Sequence, residues 1–248
     1  MRSHDQYCPV AKAAEALGDR WSLLLVREML HGVDRFNEFE RCLPGISRSV
    51  LSQRLRQLQH DGVVERRVGV DGQTSRYELT QAGRELDAVV QVLGDWATRW
   101  IVREPTPREL DPDLLMLWIC RHVDRAQLPG RRVVIEFSLG PSKRRHYWLV
   151  TSPDEVSLCI TYPGFDPDVI ITADVGALYL IYSGRASFAH AVREDEVRVE
   201  GPPALCRQLS RWFTWSRFAA AAAARPRDED ATRSSGSHRG VSMVRRAR

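Results

Sequence analysis

One helix-forming segment, bounded by turn residues at both ends, constrains the fold of this chain more than any other feature. It reads GISRSVLSQRLRQLQHDG and runs from Gly45 to Gly62. Gly45 favours a turn, Ser47 can accept hydrogen bonds from free backbone N–H groups as an N-cap, and Gly62 suits the residue that follows a helix. We therefore predict a helix from about residue 48 to 60.

The two faces of this predicted helix differ in chemistry. At about 100° per residue, Leu51, Leu55 and Leu58 share one face, which predicts burial. The opposite face carries hydrogen-bond donors and no carboxylate, and its residues are Arg48, Ser49, Ser52, Gln53 and Arg56. Such a face suits phosphate oxygens and the acceptor atoms of guanine in the major groove of double-stranded DNA. Simple solvation of a polar face is the alternative.

The residues on either side of this segment complete a recognisable order. Upstream, RFNEFERC predicts a shorter helix that ends before Pro44. Downstream, VVERRV and SRYEL predict two short strands joined by a turn at Asp71-Gly72. Helix, turn, helix and hairpin in this order predict a winged helix-turn-helix domain. The arginines of the hairpin, which would contact the DNA backbone or minor groove, are Arg66, Arg67 and Arg76.

The first hundred residues resemble the HxlR-type winged helix-turn-helix regulators. The resemblance covers about residues 7 to 103 and includes the Cys8-Pro9 start, the Gly-Asp-Arg-Trp turn that ends at Trp21, and Gly45-Ile46-Ser47. It implies a homodimeric DNA-binding regulator, with the recognition helix and wing placed as derived above.

A long amphipathic helix is predicted from Thr80 onward. Its apolar stripe is continuous for more than four turns and contains Leu86, Val89, Val90, Leu93, Trp96 and Trp100. A small winged domain has little core to bury such a stripe, so we predict a dimer interface, with an amino-terminal helix from Val10 to Leu25 as the opposing face. Two-fold symmetry would place two recognition helices on an approximately palindromic operator. Packing against the rest of the same chain is the alternative.

Prolines from Pro105 to Pro112 mark a domain boundary, and β-rich runs follow from Val133 onward. We predict an α+β protein in three parts: a winged domain over 1–103, a second domain over 104–218 and a disordered basic tail over 219–248. The runs VVIEF, HYWLV, VSLCITY, DVIITA and VRVE predict the strands of the second domain, and their order resembles a sterol-carrier-protein-type module.

That second resemblance implies a sheet packed by helices around a cavity for a small apolar ligand. The aromatic residues that would line the cavity are Trp118, Phe137, Trp148, Tyr162, Tyr179 and Phe188. Aromatic side chains at such positions also serve as ordinary core. The domain would therefore either bind a ligand that modulates DNA binding or act as a structural appendage. A free-standing carrier of lipids or other apolar ligands is a further alternative, although it leaves the first domain unexplained.

The cysteines and histidines exclude several other classes. The five cysteines are far apart and form no CxxC pair, which argues against a disulfide scaffold or a zinc site. Cys8 precedes the first predicted helix, where a thiol-based redox sensor is one interpretation and a small buried hydrophobe the other. The histidines lack HxxxH spacing, and no nucleophile or phosphate-loop motif occurs. We expect no enzyme, no metal and no cofactor.

The chain has no apolar run of the roughly 20 residues that a membrane helix requires, and its start is polar. From the sequence we therefore expect a cytoplasmic protein without a membrane partner.

Overall fold

A computed structural model describes residues 6–69, 75–140 and 144–224. Buried apolar side chains form two cores, one between residues 25 and 90 and the other between 115 and 213. The predicted domain boundary after residue 103 lies in the segment that separates them. Within the described ranges, no helix is both long enough and apolar enough to cross a membrane.

The first core is built by five helices and a two-stranded sheet. Their bounds are α1 Pro9–Leu17, α2 Ser22–Leu30, α3 Phe36–Cys42, α4 Arg48–His60, β1 Val64–Val68, β2 Ser75–Leu79 and α5 Gln81–Trp100. The antiparallel pairing of β1 and β2 sets Val64 opposite Leu79. The predicted winged helix-turn-helix fold is thus confirmed. The predicted turn at Asp71-Gly72 lies outside the described residues.

The start of α5 is fixed against β1 by a close backbone approach. The Thr80 hydroxyl accepts a hydrogen bond from the Gly83 N–H at 3.2 Å, which caps the helix. A Cβ at position 83 would lie 2.2 Å from the Val63 carbonyl oxygen. Only glycine therefore fits here, and the long helix leaves the wing at a defined angle.

The amino-terminal region follows the Gly-Asp-Arg-Trp turn that the family resemblance implied, and not the one continuous helix from Val10 to Leu25 that we predicted as the opposing face of the dimer. It forms two helices, α1 and α2, separated by a turn at residues 18–21. The Asp19 carboxylate accepts a hydrogen bond from the Trp21 N–H at 2.9 Å. This local bond offers the backbone an alternative to the helical pattern, and it redirects the chain before α2 begins.

The second core surrounds a five-stranded sheet in the order β5-β4-β3-β6-β7, in which only β3 and β6 are parallel. The elements are α6 Pro112–Arg121, a 3₁₀ turn Arg125–Gln127, β3 Val133–Leu139, β4 Arg145–Thr151, β5 Val156–Cys159, β6 Val169–Ala173, α7 Val175–Tyr182, α8 Phe188–Arg193, β7 Val197–Glu200, α9 Pro203–Gln208, a 3₁₀ turn Leu209–Arg211 and α10 Ala219–Ala223. The α+β class is therefore confirmed.

Two segments of this half differ from the sequence expectations. The apolar run predicted to continue as a strand to Tyr162 ends at Cys159, because β5 is an edge strand and Gly164 turns the chain with a φ of 83°. The tail predicted as disordered from residue 219 begins with α10, which packs on α5. Alanine has the highest helix propensity, and the Phe218 ring anchors the start of α10 over Gly94.

Candidate nucleic-acid interface

The candidate recognition helix, α4, is seated on the first core by its leucines. Ser47 caps it as predicted, since its Oγ accepts a hydrogen bond from the Val50 N–H at 3.3 Å. Leu51, Leu55 and Leu58 are at most 1% exposed. Of the residues predicted to face DNA, Ser52 is half-buried and the others are exposed: Arg48, Ser49, Gln53 and Arg56. Arg48 does not lie opposite the leucines as predicted, since at about 100° per residue it is about 20° from Leu55, but it precedes the first leucine and stays exposed.

Arg48, at the first turn of α4, is held by groups from the preceding helix. Its Nη1 lies 3.1 Å from Oε2 of Glu40, and its guanidinium lies 5.3 Å from the centre of the Phe36 ring. Helix α4 itself contains no Asp or Glu, but in the folded protein the carboxylate of Glu40 on α3 lies beside its first turn. Because the Arg48 side chain is 70% exposed, this pair orients the guanidinium without hiding it.

Arg56 lies about two turns further along α4, on the side opposite the leucines. Its Nε donates to the Ser52 carbonyl oxygen at 3.3 Å, and it makes no ion pair with any described carboxylate. Together with exposed Gln53, it presents donors that a ligand can engage without first displacing an acid.

The three arginines of the wing strands have different surroundings. Arg66 donates to Ser75 Oγ at 2.7 Å, whereas Arg67 is paired with Glu65 and with Glu78, each at 2.9 Å. Arg76 Nη1 lies 2.7 Å from Asp34 Oδ2, and this pair ties β2 to the loop before α3. Arg66 is therefore the wing arginine with no ion pair among the described residues, while Arg76 has a structural contact of its own.

The apolar stripe of α5 divides into two parts. Val90 is 7% exposed and Leu86 packs on the first core. The other residues of the predicted interface remain between 45% and 53% exposed, namely Val89, Leu93, Trp96 and Trp100. The rest of the described chain does not cover these four side chains.

The amino-terminal half matches known proteins. Residues 16–105 match the family pattern described as HxlR-like helix-turn-helix. The chain is 39% identical over 101 residues to the uncharacterized HTH-type transcriptional regulator YvaP of Bacillus subtilis, spanning 94% of that relative and 40% of this chain.

This chain belongs to the HxlR-like helix-turn-helix family.

Other relatives of the HxlR-like domain cover a similar length. The uncharacterized HTH-type transcriptional regulator Rv3095 of Mycobacterium tuberculosis is 41% identical over 99 residues, and the match spans 62% of that protein and 40% of this chain. The reduced form of the transcriptional regulator YodB from B. subtilis is 34% identical, with a TM-score of 0.35 over 39% of this chain and 96% of that one.

The thiols of the protein differ in environment. Cys8 is the half-buried N-cap residue of α1, and its side chain accepts no capping hydrogen bond from that helix. Cys42 lies in the core of the HxlR-like domain, where burial raises the pKa of its thiol. Burial also raises the pKa of Cys120 to about 11. Cys42 and Cys120 are therefore protonated near neutral pH.

The six aromatic residues predicted to line a cavity do not come together. Phe137 is 1% exposed within the second core, Trp148 packs edge-on against Tyr162, and Phe188 stacks on Trp215. Trp118 and Tyr179 do line a cavity, but it lies at the junction with the HxlR-like domain rather than inside the second sheet.

Sequence reasoning missed the polar residues of that junction. Glu28, His31, Arg121 and His122 all line the cavity. One signal was available, because Glu28 places a charge among the apolar residues of α2, SLLLVREML, and it is only 1% exposed. A buried carboxylate requires a charged or hydrogen-bonding partner, and the partner here comes from the other half of the chain.

Proposed function

We propose that this protein is a DNA-binding transcriptional regulator that reads an approximately palindromic operator as a homodimer. The observation that carries the proposal is the exposed face of α4, which offers Arg48, Ser49, Gln53 and Arg56 while three leucines fix the helix to the core. The β1–β2 wing lies next in the chain and adds Arg66. An α-helix with such donors fits the major groove, and arginines on a hairpin fit the flanking phosphates.

The exposed half of the α5 stripe supports the homodimer. Its four large apolar side chains share one side of the helix, and Val92 and Ile101, which are 67% and 57% exposed, extend the apolar area. A second copy supplies the same apolar surface across a two-fold axis, which is the usual geometry of soluble homodimers. Two α4 helices would then contact half-sites about one DNA turn apart.

Selection of binding sites from a random double-stranded DNA pool tests this proposal. We expect an enriched motif with two inverted half-sites, and an affinity for it that falls steeply as salt is raised because phosphate contacts release counterions. Failure to enrich any motif, with the protein folded and dimeric, would contradict the proposed function. A single half-site would contradict only the two-fold arrangement.

We also propose that the second α+β unit makes the regulator responsive to a small ligand. The cavity at the junction supports this idea, because one ligand there would contact helices of both units. Modulation requires that the ligand bind the DNA-competent and incompetent forms with different affinity. Operator binding measured with and without a bound ligand tests it, and an unchanged operator affinity at ligand saturation would contradict it.

A further inference from the structure

A cavity of about 330 Å³ lies between the HxlR-like domain and the α+β unit. Helices α2 and α5 form its walls on one side, and α6 and α7 form them on the other. The segment from Ser216 to Ala222 also lines it, with the Phe218 ring resting against Gly94. This volume falls at the lower end of the roughly 300–1,000 Å³ typical of small-molecule sites.

One wall of the cavity holds a charge cluster with more cations than anions. The Glu28 side chain is only 2% exposed, and its Oε1 lies 2.6 Å from Arg27 Nη2. Its other oxygen, Oε2, lies 2.7 Å from Arg121 Nη1. The second nitrogen of Arg121, Nη2, donates to the Cys42 sulfur at 2.9 Å. Because burial raises the pKa of Cys42, that thiol stays neutral, and the cluster keeps one excess positive charge.

The other charged residues around the cavity do not cancel this excess. Arg217 pairs with Asp87 at 2.7 Å, and Arg185 pairs with Glu104, so each of these arginines already has one carboxylate. Burial lowers the pKa of His31, which is therefore neutral near pH 7. A partly buried guanidinium without a full counter-charge is unfavourable, and one ligand carboxylate would complete the balance through charge-assisted hydrogen bonds.

The remaining wall is aromatic. The Trp118 and Tyr182 rings are stacked with centroids 5.8 Å apart, and Tyr179 meets Trp118 edge-on at 6.2 Å. Phe218 and the Ala97 methyl group add to the apolar surface. Planar walls of this kind favour a flat aromatic body through stacked and edge-to-face contacts.

We propose that this cavity binds an aromatic monocarboxylate, with its ring against Trp118 and Tyr179 and its carboxylate toward Arg27 and Arg121. This inference rests on the proposed function in one respect: a bound ligand would change DNA binding only if the protein binds DNA. Binding of the ligand itself does not depend on that readout.

Isothermal titration calorimetry of the full chain with 1-naphthoate tests the inference, with the neutral isostere 1-naphthamide as the matched ligand. We expect one naphthoate per chain and binding of the amide about tenfold or more weaker, since the amide lacks the charge-assisted contacts. Equal affinity for both ligands, or no saturable binding of naphthoate, would overturn the inference.

Two pairs of variants locate the binding. Ala97→Trp fills the cavity and should abolish binding, whereas Ala88→Trp on the exposed side of the same helix should not. Arg27→Met removes the excess charge but leaves Glu28 paired with Arg121, so the preference for carboxylate over amide should disappear. Arg99→Met removes an exposed arginine that, among the described residues, bonds only to its own helix, and it should retain that preference.

Binding that survives Ala97→Trp in a folded variant would place the naphthoate elsewhere and overturn the inference. If Ala97→Trp does not fold, the Arg27→Met result decides, and an unchanged preference there would also overturn it. Operator binding without ligand is a separate measurement. Its failure with naphthoate binding intact would count against the proposed function alone.

Discussion

The carboxylate of Glu28 on α2 lies 2.7 Å from the guanidinium of Arg121 on α6, and this buried contact ties the HxlR-like domain to the α+β unit. The two partners are not equivalent, because Glu28 also binds Arg27 whereas Arg121 has no other described carboxylate.

This asymmetry predicts unequal effects of substitution. Glu28→Gln leaves two guanidiniums without a carboxylate and should lower the free energy of unfolding by about 3–5 kcal/mol. Arg121→Met leaves Glu28 paired with Arg27 and should cost about 1.5–3 kcal/mol. Urea unfolding followed by tryptophan fluorescence measures both. Arg131→Met, which breaks an exposed pair with Asp168, is the control and should cost less than about 1 kcal/mol. Equal losses for the first two variants would contradict this account.

The DNA-facing residues should separate into those that read bases and those that bind phosphates. Gln53→Ala and Arg56→Ala on α4 should each cost about 1–3 kcal/mol on the selected operator and relax the sequence preference at one position of each half-site. Arg66→Ala on the wing should weaken binding to all sequences alike and reduce the salt slope by about 1. Gel-shift titrations at several salt concentrations distinguish the two patterns.

Arg198→Ala serves as the control for these titrations, because it removes an exposed arginine from β7 in the other half of the chain. An effect of Arg198→Ala as large as that of Arg56→Ala would show that overall charge rather than the α4 face governs binding.

The exposed half of the α5 stripe should hold the dimer together. Trp96→Glu places a charge in the middle of the apolar surface, so we expect the dimer dissociation constant to rise by at least about tenfold, since burying one large apolar side chain contributes about 1.5–3 kcal/mol. Sedimentation velocity over a concentration series measures this change. Ile160→Glu makes a similar change at a residue on the other half that is 71% exposed, and it should leave the association unchanged. A Trp96→Glu protein that stays fully dimeric would refute the assignment.

His31 should make stability depend on pH in a definite direction. Burial lowers its pKa in the folded protein below the ordinary value of 6.5. Between these two pKa values the unfolded chain binds the proton more readily, so stability falls as the pH drops through 6.5 and levels off below the folded pKa. Thermal unfolding of the wild type and of His31→Gln at pH 7 and pH 5 tests this, with His190→Gln, at an exposed position of α8, as the control.

The loss of stability on acidification should be smaller in His31→Gln than in the wild type and in His190→Gln. An identical pH dependence in all three proteins would show that His31 does not titrate differently in the two states.

The HxlR-like domain could be predicted from local signals. Ser47 and Gly62 allowed both ends of α4 to be predicted closely, because helix capping and left-handed turns depend on residues within a few positions. The leucine spacing fixed which face of α4 is buried, since helical periodicity alone decides it. The strands of the second half were also found, because β-branched runs such as VVIEF bury both faces of the central strand.

What the sequence by itself determined is therefore the family, the buried side of α4 and the order of most helices and strands. The tertiary structure decided which charges meet: Glu40 reaches Arg48, Asp34 reaches Arg76, and Glu28 reaches Arg121 from 93 residues away. It also placed the cavity at the junction of the two units, whereas we had predicted it inside the second unit. The physical reason is that ion pairs and cavities depend on the packing of distant segments, and hydrophobic periodicity specifies which face of a helix is buried but not which partner covers it.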